Sequence, residues 1–211
     1  MRSATEIERW NRKLHTYVGL CLLFFIWLFF FTGLLLNHSQ WRFAEFWPNR
    51  KQSRQEYQIQ PPSGGSDLTQ ARALMLQLGI VGEVEWTTTR ADQSRFDFRI
   101  SRPGHVSDVK ADFSAGRATV ERIDMNAWGV ARILHNFTGV RMADRRNQRD
   151  WIFTELWAWA MDALAGGLIF MVLSSLYMWC RLRTKRLVGM LCLGTGTAIC
   201  GLFVIGLKLV T

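Results

Sequence analysis

Three stretches of the chain carry no charged residue and are dominated by Leu, Phe, Trp, Val and Gly: Tyr17 to Leu36, Ala163 to Cys180 and Leu187 to Leu207. A helix rises ~1.5 Å per residue, so ~20 apolar residues cross a hydrocarbon layer of ~30 Å. The pattern therefore predicts a mainly α membrane protein with three transmembrane helices, over residues 15–38, 151–181 and 187–208. The second gains an outer extension through Trp151 to Asp162. A short N-terminal segment (1–14) precedes the first span, and a tight turn (182–186) joins the other two. The first run is longer than the ~7–15 residues of a signal-peptide core and leads into Asn37-His38-Ser39-Gln40-Trp41 without a small-residue cleavage pattern. It reads as a retained signal anchor.

Between the first and second spans the pattern changes twice. Residues 39–66 look irregular and polar, a linker ending in Pro61-Pro62-Ser63-Gly64-Gly65. From 67 to 124 a small α+β domain is expected. Asp67 caps a helix with Leu68, Ala71, Leu74, Met75 and Leu78 at helical spacing, and Gly79 ends it. Then period two takes over: Val84 and Trp86, then Phe96, Phe98 and Ile100 between polar neighbours. Turn signals at Pro103-Gly104 and Ser114-Ala115-Gly116 separate further strands from about Val106 to Phe113 and Ala118 to Ile123. The expectation is one helix followed by a four-stranded antiparallel meander. Residues 125–150 follow as an amphipathic helix, Asn126 to about Val140, with a loop; it is too polar to span and suits a membrane surface.

Charge fixes the orientation. Arg9, Arg12 and Lys13 precede the first span, and Arg181, Arg183, Lys185 and Arg186 fill the turn between the other two. Lys and Arg collect on the cytoplasmic side, which puts the N-terminus inside and residues ~38 to ~150 outside, in a bacterial inner membrane. The net charge of +9 is explained in part by these clusters, and the mean hydropathy of +0.02 by the polar segment between spans. Nothing suggests nucleic acid. Arg141, Arg145, Arg146 and Arg149 form an outer cluster, read equally as a solvated turn or as a contact for lipid headgroups or an anionic partner. The four cysteines, Cys21, Cys180, Cys192 and Cys200, all lie within or beside spans, with no CxxC or Cys/His metal spacing. Zinc is not expected, nor a disulfide in the outer segment.

Candidate chemistry rests on four histidines. His105 follows the Pro-Gly turn and reads as an exposed hairpin residue. His15 opens the first span, His38 closes it, and His135 sits on the amphipathic helix. Leu14-His15-Thr16-Tyr17-Val18-Gly19 echoes Leu134-His135-Asn136-Phe137-Thr138-Gly139, each placing a glycine one turn after a histidine on the same face. That leaves room for a flat ligand beside the imidazole, and haem b is the candidate, since its iron takes imidazole axially. The alternative is that these boundary histidines merely hydrogen-bond or reach the interface. His15 and His38 stand ~35 Å apart on one helix, on faces ~140° apart, and cannot share a ligand. His38 and His135 lie on the same side and form the expected ligand pair. A second haem at His15 requires a dimer mate, another subunit or a different ligand.

Asp162 and Glu155 lie two turns apart near the outer end of the second span. Carboxylates so placed face protein, a water cavity or an arginine partner. Gly166-Gly167 with Ser174-Ser175, and Gly194, Gly196 and Gly201, are expected to let helices approach closely.

The run LHTYVGLCLLFFIWLFFFTGLLLNH, the later ILHNFTGVR, and LWAWAMDALAGGLIFMVLSSLYMW followed by a basic turn resemble the PepSY-associated transmembrane helix family. The resemblance covers both long spans, the amphipathic helix and the PepSY-like unit between them. It implies His15, His38 and His135 as haem histidines, with Asp162 in the matching helix motif, and a role in passing electrons to extracytoplasmic ferric-siderophore substrates. The chain departs from the larger reductase-like members in having three spans and one PepSY-like unit. Two functions follow as expectations. One is a haem-b electron-transfer protein, an oxidoreductase component acting with membrane lipids, a homo-oligomer or larger membrane complex, and a periplasmic redox partner or ferric chelate. The other is a non-enzymatic accessory subunit whose PepSY-like domain restrains a periplasmic partner. No nucleotide-binding or hydrolase motif is present.

Overall fold

The computed structural model describes residues 2–38, 40–89, 94–137, 150–181 and 186–209, with side chains from residue 5 onward. The arginines from Arg141 to Arg149, Gly139 of the histidine echo, and Arg183 and Lys185 lie outside the described residues. The elements are α1 (Arg2–Asn37), β1 (Lys51–Gln58), α2 (Asp67–Leu78), β2 (Glu83–Thr89), β3 (Arg95–Arg102), β4 (His105–Asp112), β5 (Arg117–Asp124), α3 (Ala127–Asn136), α4 (Ile152–Arg181) and α5 (Arg186–Leu209). Three of them, α1, α4 and α5, are long and apolar enough to cross a membrane. The chain divides into two compact units, Met1–Leu23 with Ala163–Thr211, and Phe24–Asp162.

In the first unit the early part of α1 packs on the later part of α4. Gly167 makes this approach possible, since a Cβ there would lie 2.5 Å from Leu22 Cδ1. A polar clasp holds the same pair: Ser174 Oγ donates to Asn11 Oδ1 at 3.0 Å, and Asn11 Nδ2 donates to the Ser174 carbonyl at 3.5 Å. Polar side chains that satisfy one another are how apolar helices are held in register where water is absent. The small residues of α5 do something different from the expectation. Gly194, Gly196 and Gly201 meet no side chain or backbone within 4 Å, and α5 buries none of its residues within the chain.

The second unit is built on a five-stranded antiparallel sheet, ordered β1-β5-β4-β3-β2. The four expected strands are present, and the stretch read as irregular linker adds a fifth. Lys51 to Gln58 pairs along the whole length of β5, from Lys51 opposite Asp124 to Gln58 opposite Arg117. Its residues, KQSRQEYQ, are almost all exposed. An edge strand rich in charged and amide side chains resists pairing with other chains, and it carries no apolar alternation to betray it.

One face of the sheet is covered by α2. Ala71, Leu74 and Met75 from the helix meet Val84, Phe96, Phe98, Ile100, Val109, Ala111, Ala118 and Val120 from the strands. The helix cap is Ser66 rather than Asp67: the Ser66 hydroxyl accepts from the Thr69 N–H at 3.3 Å, and Asp67 opens the first turn. Gly79 closes the helix in the left-handed conformation. The chain then turns into β2 through Gly82 at φ 156°, where a Cβ would lie 2.9 Å from the Ser101 carbonyl oxygen.

Phe98 is fully buried at the centre of this core, 5.3 Å from Phe96 between ring centroids. Phe98→Ala is expected to destabilise the sheet domain by about 3–5 kcal/mol through lost transfer energy and a residual cavity. Hydrogen exchange of the β3 and β4 amides in the full chain measures this, and protection unchanged from the parent would contradict the assignment.

Candidate functional site

Amphipathicity places His135. Trp128 and His135 are seven residues apart on α3, two turns, and so share a face. That face lies on the later half of α1: Trp128 is 6.3 Å from Phe31 between centroids, and His135 is 5.2 Å from Phe29. Gly33 makes room for the imidazole, since a Cβ there would stand 3.3 Å from His135 Cε1. Phe29 in turn stacks on Trp157 of α4, 6.5 Å away and nearly parallel. The glycine beside His135 among the described residues is thus Gly33 on the facing helix.

A hydrogen bond positions the imidazole. Thr32 is 1 % exposed, and its Oγ1 lies 2.9 Å from His135 Nδ1. The same hydroxyl is 2.8 Å from the Leu28 carbonyl and 3.2 Å from that of Phe29. A hydroxyl has one proton, and carbonyl oxygens only accept. With that proton directed at the helix carbonyls, the Thr32 oxygen can accept from His135 Nδ1–H. That tautomer leaves the Nε2 lone pair free. A ring nitrogen held as donor by a neighbouring oxygen, with the other nitrogen bare, is the arrangement of metal-bound histidine.

His38 lies in the same unit, five residues beyond Gly33, or ~7.5 Å along a helix axis. Its ring stacks on Trp41 at 4.4 Å and 4°. It makes no side-chain hydrogen bond among the described residues. The two imidazoles thus border the same end of α1, and each is packed against different side chains. Asp162 is exposed and makes no hydrogen bond or ion pair with the described residues, and Glu155 is exposed as well.

His15 belongs to the other unit. It borders an apolar cavity of about 620 Å³ with Met171, Leu176, Trp179, Gly189 and Cys192. Its Nδ1 is enclosed without a hydrogen-bond partner among the described residues. Among the described residues no second histidine lines this cavity. Among the described residues no group of three or more His, Cys, Asp and Glu side chains is arranged to hold a metal ion.

His105 departs from its expected place as an exposed hairpin residue. It opens β4 half-buried, with Nδ1 donating to Asp124 Oδ1 at 2.5 Å. The Asp124 carboxyl is also hydrogen-bonded by Arg122, at 2.8 Å. Burial acts to raise its pKa, and the hydrogen bonds from Arg122 and His105 outweigh that and hold it below the ordinary range.

One charged cluster was invisible in the sequence. Glu83, at the start of β2, is fully buried. Its Oε1 accepts from Arg72 Nη2 and from the Asp150 N–H, both at 3.3 Å, and Oε2 accepts from the Trp151 N–H at 3.2 Å. Arg72 also forks onto Asp150, with Nε donating to Oδ2 at 2.7 Å and Nη2 donating to Oδ1. The cluster ties α2 and β2 to the chain entering α4. Burial, then the adjoining Asp150 carboxyl, pushes Glu83 up to about 7. For Asp150, burial acts upward but the Arg72 hydrogen bond prevails and lowers it.

Because Glu83 keeps its proton to a higher pH when folded than when unfolded, its contribution to stability falls as pH rises from about 4.5 to about 7. Thermal unfolding of the detergent-solubilised chain should therefore show a component of stability lost across that interval. Glu83→Gln, which cannot ionise, is expected to flatten it, and an unchanged profile would contradict the buried carboxyl's role. Comparison of the chain with protein-family models, curated proteins and solved structures gives no match.

Proposed function

We propose that the chain is a haem-b electron-transfer protein of a bacterial inner membrane, with its N-terminus in the cytoplasm and the sheet domain outside. The observation that carries this reading is the His135–Thr32 hydrogen bond, which leaves Nε2 as an open donor atom beside a span. The residues at hand suit such a group. Gly33 admits the imidazole against α1, and Phe29 and Trp157 offer flat apolar surface for a macrocycle. Thr154, 1 % exposed and one turn before Trp157, has a hydroxyl without a partner among the described residues. His135 would supply one axial ligand and His38 the second, with Trp41 orienting the His38 ring. Bound haem supplies one-electron transfer, and two imidazole ligands leave no site open to oxygen.

The tasks of the protein's own residues are limited. Thr32 positions the His135 ring through its hydrogen bond with Nδ1, and Gly33 and the aromatic residues shape the site. The PepSY-like sheet domain would meet the redox partner or ferric chelate on the outer side. His15 stands as a separate candidate, completed by a second copy or another subunit. The accessory-subunit reading remains the alternative, and it is what a protein unable to take up haem would leave.

The test is the reduced-minus-oxidised absorbance of the chain purified after expression with ample haem. A b-type spectrum is expected, lost in His135→Ala and His38→Ala and retained in His15→Ala. Thr32→Val should keep the band but shift the midpoint potential, because the ligand loses its hydrogen-bonded Nδ1 partner. A colourless parent protein would overturn the haem reading.

A further inference from the structure

The face of the sheet that α2 covers is not apolar along its whole length. With 12 residues, α2 is ~18 Å long, whereas an eight-residue strand extends ~26 Å. The helix stops at Gly79, and beyond it the core-facing side of the sheet is left open. The residues at those inward positions change character there. Across the row where Phe98 faces Val109 and Val109 faces Val120, the sheet is hydrophobic. One row on, Ile100 faces Ser107, Ser107 faces Arg122, and Arg122 faces Ser53. In the last row Arg102 faces His105, and His105 faces Asp124. Alternation puts all of these on the side that holds the core.

Together they line a cavity of about 300 Å³, with Ile80, Val81, Ile100 and Val120 as its apolar part. Two polar groups there have no protein partner. Ser107 is 7 % exposed, yet its hydroxyl makes no hydrogen bond with any described residue. Arg102 is half-buried and makes no ion pair or hydrogen bond with any described residue, whereas the nearby Arg122 and His105 are already committed to Asp124. The Ser107 hydroxyl and the Arg102 guanidinium line the cavity without a partner among the described residues, so both are available to one ligand.

We infer that this cavity binds a small organic carboxylate with an apolar body. The Arg102 guanidinium presents parallel N–H groups that match a carboxylate. The Ser107 hydroxyl donates a further hydrogen bond, and Ser53 and Gln55 border the same space. The apolar wall formed by Ile80, Val81, Ile100 and Val120 receives the hydrocarbon portion. A bare inorganic anion would leave that wall against water, which favours the organic carboxylate over free phosphate. The site is a property of the sheet domain and does not rest on haem at His135.

Calorimetric titration of the full detergent-solubilised chain with benzoate, succinate and inorganic phosphate tests it. Saturable binding of benzoate or succinate is expected, weakened by roughly tenfold or more in Arg102→Gln, since one charge-assisted interaction is lost. Ser107→Val should weaken it as well, and Arg117→Gln, at the far end of β5, should leave it unchanged. Both cavity variants should retain the parent's circular dichroism, because neither side chain makes a hydrogen bond or ion pair with a described residue. No saturable carboxylate binding, binding of inorganic phosphate only, or parent-like binding by both cavity variants would each overturn the proposal.

Discussion

Apolar surface that the chain itself does not cover governs everything else in this protein. Along α5 no residue is buried, and on α1 and α4 large side chains such as Phe24, Trp27, Phe30, Ile169 and Val172 are more than half exposed. In water each such side chain would cost on the order of 1.5–3 kcal/mol, a sum no small domain could offset. Three such helices are compatible with a multi-pass membrane protein, in which hydrocarbon removes the cost and with it the option of using water to satisfy polar groups. Some of the polar side chains in these helices are paired locally. Asn11 and Ser174 serve each other, and Thr32 serves both its own helix and His135.

The same economy shapes the candidate site. His135 is only half-buried, yet its ring is turned toward α1, into the gap that Gly33 leaves. The Thr32 hydroxyl, bonded to its own helix carbonyls, can accept from Nδ1, which holds the imidazole ring in place before any ligand arrives. The sheet domain applies a related logic in water: α2 covers the apolar rows of the sheet, and the rows it does not reach carry Ser107, Arg102 and Arg122 in place of aliphatic side chains.

Much of this was legible in the chain, and the misses have physical reasons. The three spans were plain because twenty uncharged apolar residues have no other stable home. The strands from Val84 to Ile123 were plain because one face is buried and alternation records it. The first strand was not, since Lys51 to Gln58 buries almost nothing and its existence depends on backbone pairing with β5. Glu83 escaped notice because its neighbours in sequence give no sign that Arg72 and the amides of Asp150 and Trp151 will enclose it. The histidines were found by position alone. Thr32 and Gly33, which give His135 its chemistry, were not, because a threonine and a glycine within an apolar run read as ordinary packing. The polar rows beyond α2 were likewise hidden until strand register showed which side they face.

The account turns on the tautomer of His135, and nitrogen NMR of the labelled full chain in detergent reads it directly. His135 is assigned by the signal missing from His135→Ala, with exogenous haem withheld. The prediction is a protonated, pyrrole-like Nδ1 and a bare, pyridine-like Nε2, with that preference lost in Thr32→Val. A pyridine-like Nδ1 with the proton on Nε2 would contradict the account, because the atom facing the site would then be a donor with no lone pair to offer.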